Sequence, residues 1–133
     1  MVANIILSRF LERFPTLKIC SVESGAGWVP FLLEGLEYQM NEAAMEFEVS
    51  PIEIFRRQIY VCSWFERRNI VDTARQIGVD NLMFETDFPH PTCLYPGSFD
   101  YMDEAIRGFT ADERRKIFGG NAERVYNLDL SQA

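Results

Sequence analysis

The chain is poor in several things at once, and each shortage excludes something. It has one histidine, His90, in 133 residues. No metal site needing several imidazoles can be assembled within one copy. Its three cysteines, Cys20, Cys62 and Cys93, are odd in number and widely spaced. They read as free thiols in a reducing compartment rather than a disulfide framework or a metal knot. No apolar run approaches the roughly 18 residues of a membrane span. The opening MVANIILSRFLERF lacks the basic start and small-residue cleavage site of a secretory leader. A cytoplasmic protein with no membrane partner is expected. Basic charge is scarce too: 13 Lys and Arg against 20 Asp and Glu give a net charge of −7. That argues against nucleic acid as a partner, since phosphate binding needs a basic surface. The arginines of FRRQ, FERRN and DERRK sit beside acidic residues and read as solvated helix faces.

What is present is an ordinary globular composition, 47% apolar and 25% charged, long enough for one domain over 1–133 with a modest core. Val2, Ile6, Phe10 and Phe14 recur every fourth residue and predict an amphipathic helix stopped by Pro15. LKICSVES reads as a buried strand. Gly25 and Gly27 make a turn into a long helix marked by Trp28, Phe31, Leu32, Leu36, Met40, Ala43 and Phe47, with Pro30 in its first turn. Ser50 and Glu53 have capping-box spacing ahead of a short helix. QIYVCSWF is a second strand. RNIVDTARQIG is a helix with Ile70, Val71, Ala74 and Ile77 on one face and Gly78 as its C-terminal cap. NLMFETDF is a third strand. Helices follow from Ser98, from the capping box Thr110–Glu113, and in NAERVYNL.

The order α–β–α–β–α–β–α–α implies parallel strands joined by helical crossovers. Three parallel strands alone leave both sheet edges unpaired. The pattern therefore reads as part of a larger α/β structure. Ligands in such structures gather at the carboxyl ends of the strands. Here those ends carry Glu23, then Glu66, then Glu85 and Asp87. Glu66, followed by two arginines, reads as a charge that begins where the strand leaves the core. Period-two alternation puts Met83, Glu85 and Asp87 on one face of the third strand and Leu82, Phe84 and Phe88 on the other. Two carboxylates on one face call for a cation or an arginine, because unpaired buried charge is costly. His90 lies just beyond, between Pro89 and Pro91. From the residues alone, a polar turn and a functional site both remain open.

Three stretches carry a likeness to a known family: LKICSVESGAGWVPFLLEGLEYQ, NLMFETDFPHPTCLYP and ERRKIFGGNAERVYNLDL. The chain resembles the carboxyl-terminal part of the amidohydrolase-related family of metal-dependent hydrolases and decarboxylases. That branch includes aminocarboxymuconate-semialdehyde decarboxylase and the resorcylate decarboxylases. The resemblance implies the carboxyl-terminal portion of a TIM (β/α)8 barrel, about three parallel strands equivalent to strands 6–8, with flanking helices. It implies a divalent metal, most simply Zn2+, at the carboxyl face of the complete enzyme. Asp87 matches the family's last-strand aspartate, a metal ligand or general base. His90 matches a histidine that acts beside it on the substrate side. Glu23 falls near a strand-six ligand position.

The family's His-x-His pair and strand-five histidine have no counterpart here. The expectation is therefore a partial barrel whose isolated chain is inactive and binds metal weakly if at all. Trp28, Trp64, Glu85 and Tyr95 are the pocket candidates for a small, aromatic or cyclic carboxylic substrate, with Phe88 behind them. Trp28 also reads simply as a packing residue at a helix start. Association with the missing half, or with further copies, would complete the structure. The alternative is a non-catalytic half-barrel that oligomerises through its open sheet edges; a small doubly wound binding domain fits less well, having too few strands.

Overall fold

The computed structural model describes residues 1–45 and 47–129. Glu46, inside the expected long helix, and Leu130, at the end of the third family-like stretch, lie outside the described residues. Three short strands, β1 (Ile19–Ser21), β2 (Ile59–Ser63) and β3 (Leu82–Phe84), form one parallel sheet in the order β1-β2-β3. Ile19 pairs with Ile59 and Val61 with Leu82. The helices are α1 (Val2–Leu7), α2 (Phe10–Arg13), α3 (Val29–Glu42), α4 (Pro51–Gln58), α5 (Ile70–Ile77), α6 (Ser98–Ile106), α7 (Ala111–Arg115) and α8 (Asn121–Tyr126).

The central strand is buried along its whole length, so both sheet faces must be covered. Ile59, Val61 and Leu82 face the main core, where Ile6, Leu11, Val29, Leu33, Phe55, Ile70, Ala74 and Ile77 pack. Tyr60, Cys62 and Met83 face the other side and meet Cys20, Ala122 and Val125. Helix α8 covers that second face and ties its polar side chains to the amino ends of the strands. Asn121 donates its amide to the carbonyls of Val79 and Leu82 at 2.8 and 2.7 Å, and Arg124 donates to Asp80 O at 2.7 Å. In a closed barrel the second face is the interior. Its carboxyl end is the rim that carries Glu85.

Both expected capping boxes form, Ser50 with Glu53 and Thr110 with Glu113. Gly78 ends α5 at φ 108°, a conformation that a side chain resists. Pro30 lies in the first turn of α3.

Elsewhere the periodicity runs past the real elements. The first helix breaks at Arg9, which is left-handed at φ 56°, while Ser8 Oγ donates back to Ile5 O at 3.1 Å. The break rotates the buried stripe, so Leu11 enters the core and Phe14 is exposed. Helix α3 stops at Glu42, before Phe47, and its buried stripe is Val29, Leu33, Leu36 and Met40. Phe31, expected on that stripe, faces solvent. A five-residue π turn, Lys116–Gly120, joins α7 to α8.

The three thiols are unpaired. Burial, with help from nearby Glu85 and Cys20, pushes the Cys62 thiol up to about 12. Only thiolate reacts with alkylating reagents. Iodoacetamide at pH 8 is therefore expected to modify the half-buried Cys93 long before Cys62, as followed by intact mass and peptide mapping. Equal rates at the two positions would contradict this burial.

Candidate functional site at the carboxyl rim

The third strand ends at Phe84, but its pairing runs one residue further, because Glu85 N donates to Ser63 O at 3.1 Å. Beyond Glu85 the alternation fails. Asp87 adopts a left-handed backbone at φ 61°, a conformation Asp tolerates better than most residues. That turn folds the carboxylate inward: its side chain is only 5% exposed. The same turn throws Phe88 outward, so it does not join Leu82 and Phe84 beneath the helices as alternation predicts.

Asp87 sits within a local polar net. Thr92 Oγ1 donates to Asp87 Oδ2 at 3.2 Å, and His90 Nδ1 lies 3.2 Å from the same oxygen. His90 Nδ1 and Thr92 Oγ1 are themselves 2.8 Å apart. His90 N donates to Asp87 O at 2.8 Å, and Leu94 N donates to Thr86 O at 3.1 Å, which folds the exit loop back on the strand end. The imidazole is 59% exposed. One carboxylate oxygen is thus held by the Thr92 hydroxyl on one side and faces an accessible ring. Thr92 escaped the sequence reading; its only signal was its place two residues after His90.

Glu85 joins two strand ends. Its Oε1 accepts from Glu23 N at 2.9 Å, and Glu23 is held left-handed at φ 53°. Desolvation by burial raises the Glu85 carboxyl above its ordinary value near 4.5. The Glu23 N–H bond opposes that rise, and the negative Asp87 and Glu23 add to it. Glu23, Glu85 and Asp87 thus lie together at the carboxyl ends of β1 and β3.

The sign for stability follows directly. A carboxyl whose folded value is raised favours the fold most when protonated, below about pH 4.5, and loses that contribution as pH climbs through the raised value. Glu85→Gln keeps an acceptor for Glu23 N and cannot ionise. Its melting temperature relative to the unmodified chain is expected to rise from pH 4 to pH 8. A flat difference across that range would be the contrary result.

The other candidates have structural partners. Glu66 accepts from Ala26 N with both carboxylate oxygens, at 3.0 and 2.9 Å, and from Gly27 N at 2.7 Å. It clamps the turn that opens α3 and is more than a charge at a strand exit. A Cβ on Gly25, at φ 66°, would stand 3.1 Å from that carboxylate. Trp28 donates its indole N–H to the carbonyls of Ser24 and Gly25 at 3.0 and 2.9 Å, which ties the ring to the same turn. Trp64 packs edge-on against Phe65, with centroids 4.6 Å apart. Tyr95 and Phe88 form an exposed edge-to-face pair at 5.1 Å in the loop beyond Asp87.

A metal ion needs three or more well-placed ligands in a site of this kind. Among the described residues no group of three His, Cys, Asp or Glu side chains is placed to hold one. Asp87 fits as a single carboxylate ligand, and the set as a whole does not. Among the described residues, too, no helix is long and apolar enough to cross a membrane.

Comparison with known proteins matches this geometry to a family. Over 96% of its length the chain is 24% identical to a 2-amino-3-carboxymuconate-6-semialdehyde decarboxylase of Dictyostelium discoideum, and it covers 36% of that protein. It spans little more than a third of the curated relatives it matches. Among solved structures, an amidohydrolase of Mycobacterium avium subsp. paratuberculosis K-10 superposes with a TM-score of 0.81 at 30% identity. That match covers 93% of this chain and 32% of the other. A dihydroxybenzoic acid decarboxylase of Polaromonas sp. JS666, solved with manganese and 2-nitroresorcinol, gives 0.74 at 21% identity, covering 96% and 39%. The three parallel strands and their helices are thus one sector of a TIM barrel. The family model described as Amidohydrolase matches residues 2–128, and the chain belongs to the amidohydrolase family.

Proposed function

We propose that this chain is the aspartate-bearing sector of a metal-dependent amidohydrolase-type enzyme acting on a small aromatic or cyclic carboxylic acid. The reaction class is non-oxidative decarboxylation or hydrolysis. The observation that carries it is Asp87, turned inward at the barrel rim with one oxygen held by Thr92 and facing His90. Such a carboxylate can move a proton at a defined position. In hydrolysis it takes a proton from attacking water, and in decarboxylation it returns one to the ring carbon that loses carbon dioxide. His90, bridged to Asp87 through Thr92, orients that carboxylate and reaches toward the substrate side. Phe88 and Tyr95 offer an aromatic wall beside it.

A divalent cation, zinc or manganese, would take Asp87 as one ligand, with the remaining ligands on other strands. Glu23, at the end of β1, is a further carboxylate that this chain could offer. The decarboxylases among the relatives support the substrate class. Three free thiols suit a reducing, cytoplasmic setting.

The test joins this sector to a polypeptide carrying the histidine-bearing strands of an amidohydrolase barrel. Carbon dioxide release is then followed on hydroxybenzoates and carboxymuconate-type acids, with ester and amide hydrolysis in parallel. Turnover in the joined barrel and none in either part is the expected result. A correctly assembled barrel inert toward every one of these substrates would overturn the reading.

The second reading, a non-catalytic assembly through sheet edges, rests on β1 and β3, each of which pairs on one side only. A stable homo-oligomer of the chain that excludes the histidine-bearing part would favour it.

A further inference from the structure

Helix α3 buries one stripe, Val29, Leu33, Leu36 and Met40. At about 3.6 residues per turn, its opposite side carries Phe31, Gly35, Tyr38 and Glu42. Phe31 is 83% exposed and Tyr38 61%, so two rings stand in water one turn to either side of a glycine. Because this stripe points away from the core, it is separate from both open edges of the sheet.

Gly35 is the second, independent observation. Glycine inside a helix weakens it, and its use there is to let another group come close. Among the described residues nothing lies within 4 Å of where a Gly35 Cβ would stand. Packing within the chain therefore gives no reason for a glycine at this position, and the close neighbour is to be sought outside it.

The pattern of ring, gap and ring is its own complement. A second copy of α3, turned antiparallel about a two-fold axis between Glu34 and Gly35, sets Phe31 opposite the partner's Tyr38 and Tyr38 opposite the partner's Phe31. The two glycines then lie at the crossing, where bare backbone lets helix axes approach to about 8 Å. The area is of the right order. At roughly 200 Å² for a full aromatic side chain, the four rings bring about 600 Å², against roughly 1,200–2,000 Å² for a stable specific interface. The polar flanks of α3 have to supply the rest.

Charge sets the strength. The stretch 19–55 contains no Lys, Arg or His, and Glu34, Glu37 and Glu42 edge the stripe on α3. Those carboxylates repel across the two-fold, while the antiparallel helix dipoles attract. Pairing of like with like should tighten as salt screens the rim. A basic partner on the same surface would do the reverse.

We infer that the outer face of α3 is a self-association surface, on which two copies of the chain pair antiparallel through Phe31, Gly35 and Tyr38. It goes beyond the proposed function and does not depend on it, since no rim residue takes part.

The test is sedimentation equilibrium of the full chain from about 10 to 500 μM, a span that reads micromolar dissociation constants. A monomer–dimer equilibrium is expected, tightening by about threefold between roughly 0.05 and 0.5 M NaCl. Phe31→Ser should weaken it by at least about tenfold, as loss of a central aromatic anchor does. Gly35→Gln separates the alternatives most sharply. It should raise the melting temperature of the monomer, since glutamine is the better helix former and has room, and abolish the dimer at every concentration. A purely structural role would move both the same way. The inference is overturned by a chain that stays monomeric throughout, by a dimer that salt weakens, or by a dimer that survives in folded Phe31→Ser and Gly35→Gln, which would place the contact at the sheet edges instead.

Discussion

Asp87→Asn in the completed barrel is expected to lower turnover by about 10²–10⁴-fold, the range set by loss of a positioned acid or base. Folding should be almost untouched. Asn has nearly the shape of Asp, and it is among the residues that enter the left-handed region readily, which position 87 requires at φ 61°. Its amide oxygen can still accept from Thr92. The substitution thus removes the proposed proton-transfer group and leaves the turn in place. Asp87→Ala would confound the two, since alanine is strained at positive φ. The measurement is kcat beside the urea midpoint of the same preparation. Retained turnover in the folded variant would exclude Asp87 as the acid–base group. A His90→Gln variant should fall less far, because the Asp87 oxygen that His90 faces is also held by Thr92.

The largest stability effect belongs to Asn81, which lies nowhere near the rim. Its side chain is 3% exposed. The amide nitrogen donates to Phe55 O, Arg56 O and Ile59 O at 3.3, 2.9 and 2.8 Å. These carbonyls belong to the last turn of α4 and the first residue of β2, the point where helix becomes strand. Helix-end carbonyls have no partner within the helix. Asn81→Ala strips at least two of them at once and leaves a small cavity, a loss of about 2–4 kcal/mol. Domains of this size hold only about 5–15 kcal/mol in total, so the variant should show a greatly lowered urea midpoint or no cooperative transition. A change below about 1 kcal/mol would mean that water reaches these carbonyls. Asn81→Asp should be no better, because a carboxylate cannot donate to a carbonyl.

Neither residue could be ranked this way from its neighbours in the sequence. Asn81 reads there as the polar first residue of a strand, and its three acceptors lie 22 to 26 positions away. Glu66 reads as a charge leaving a strand, and only the folded chain brings it onto Ala26 and Gly27, some 40 residues earlier.

Local chemistry by itself determined a good deal. Capping boxes at Ser50 and Thr110, the glycine stop at Gly78, the proline in the first turn of α3 and the alternation of strands with helices act over a few residues. They are legible wherever they occur. So was the crowding of Glu85, Asp87 and His90 after the third strand. Tertiary structure alone decided where the elements stop and which way the rim side chains point. Helix α3 ends before its apolar pattern does, with Ala44 left-handed just beyond it, and β3 ends before its alternation does, with Asp87 left-handed and its carboxylate held by Thr92 and facing His90. Asp87 turns inward and Phe88 outward for that reason. Periodicity assigns a face only while the backbone stays regular, and at this rim it does not.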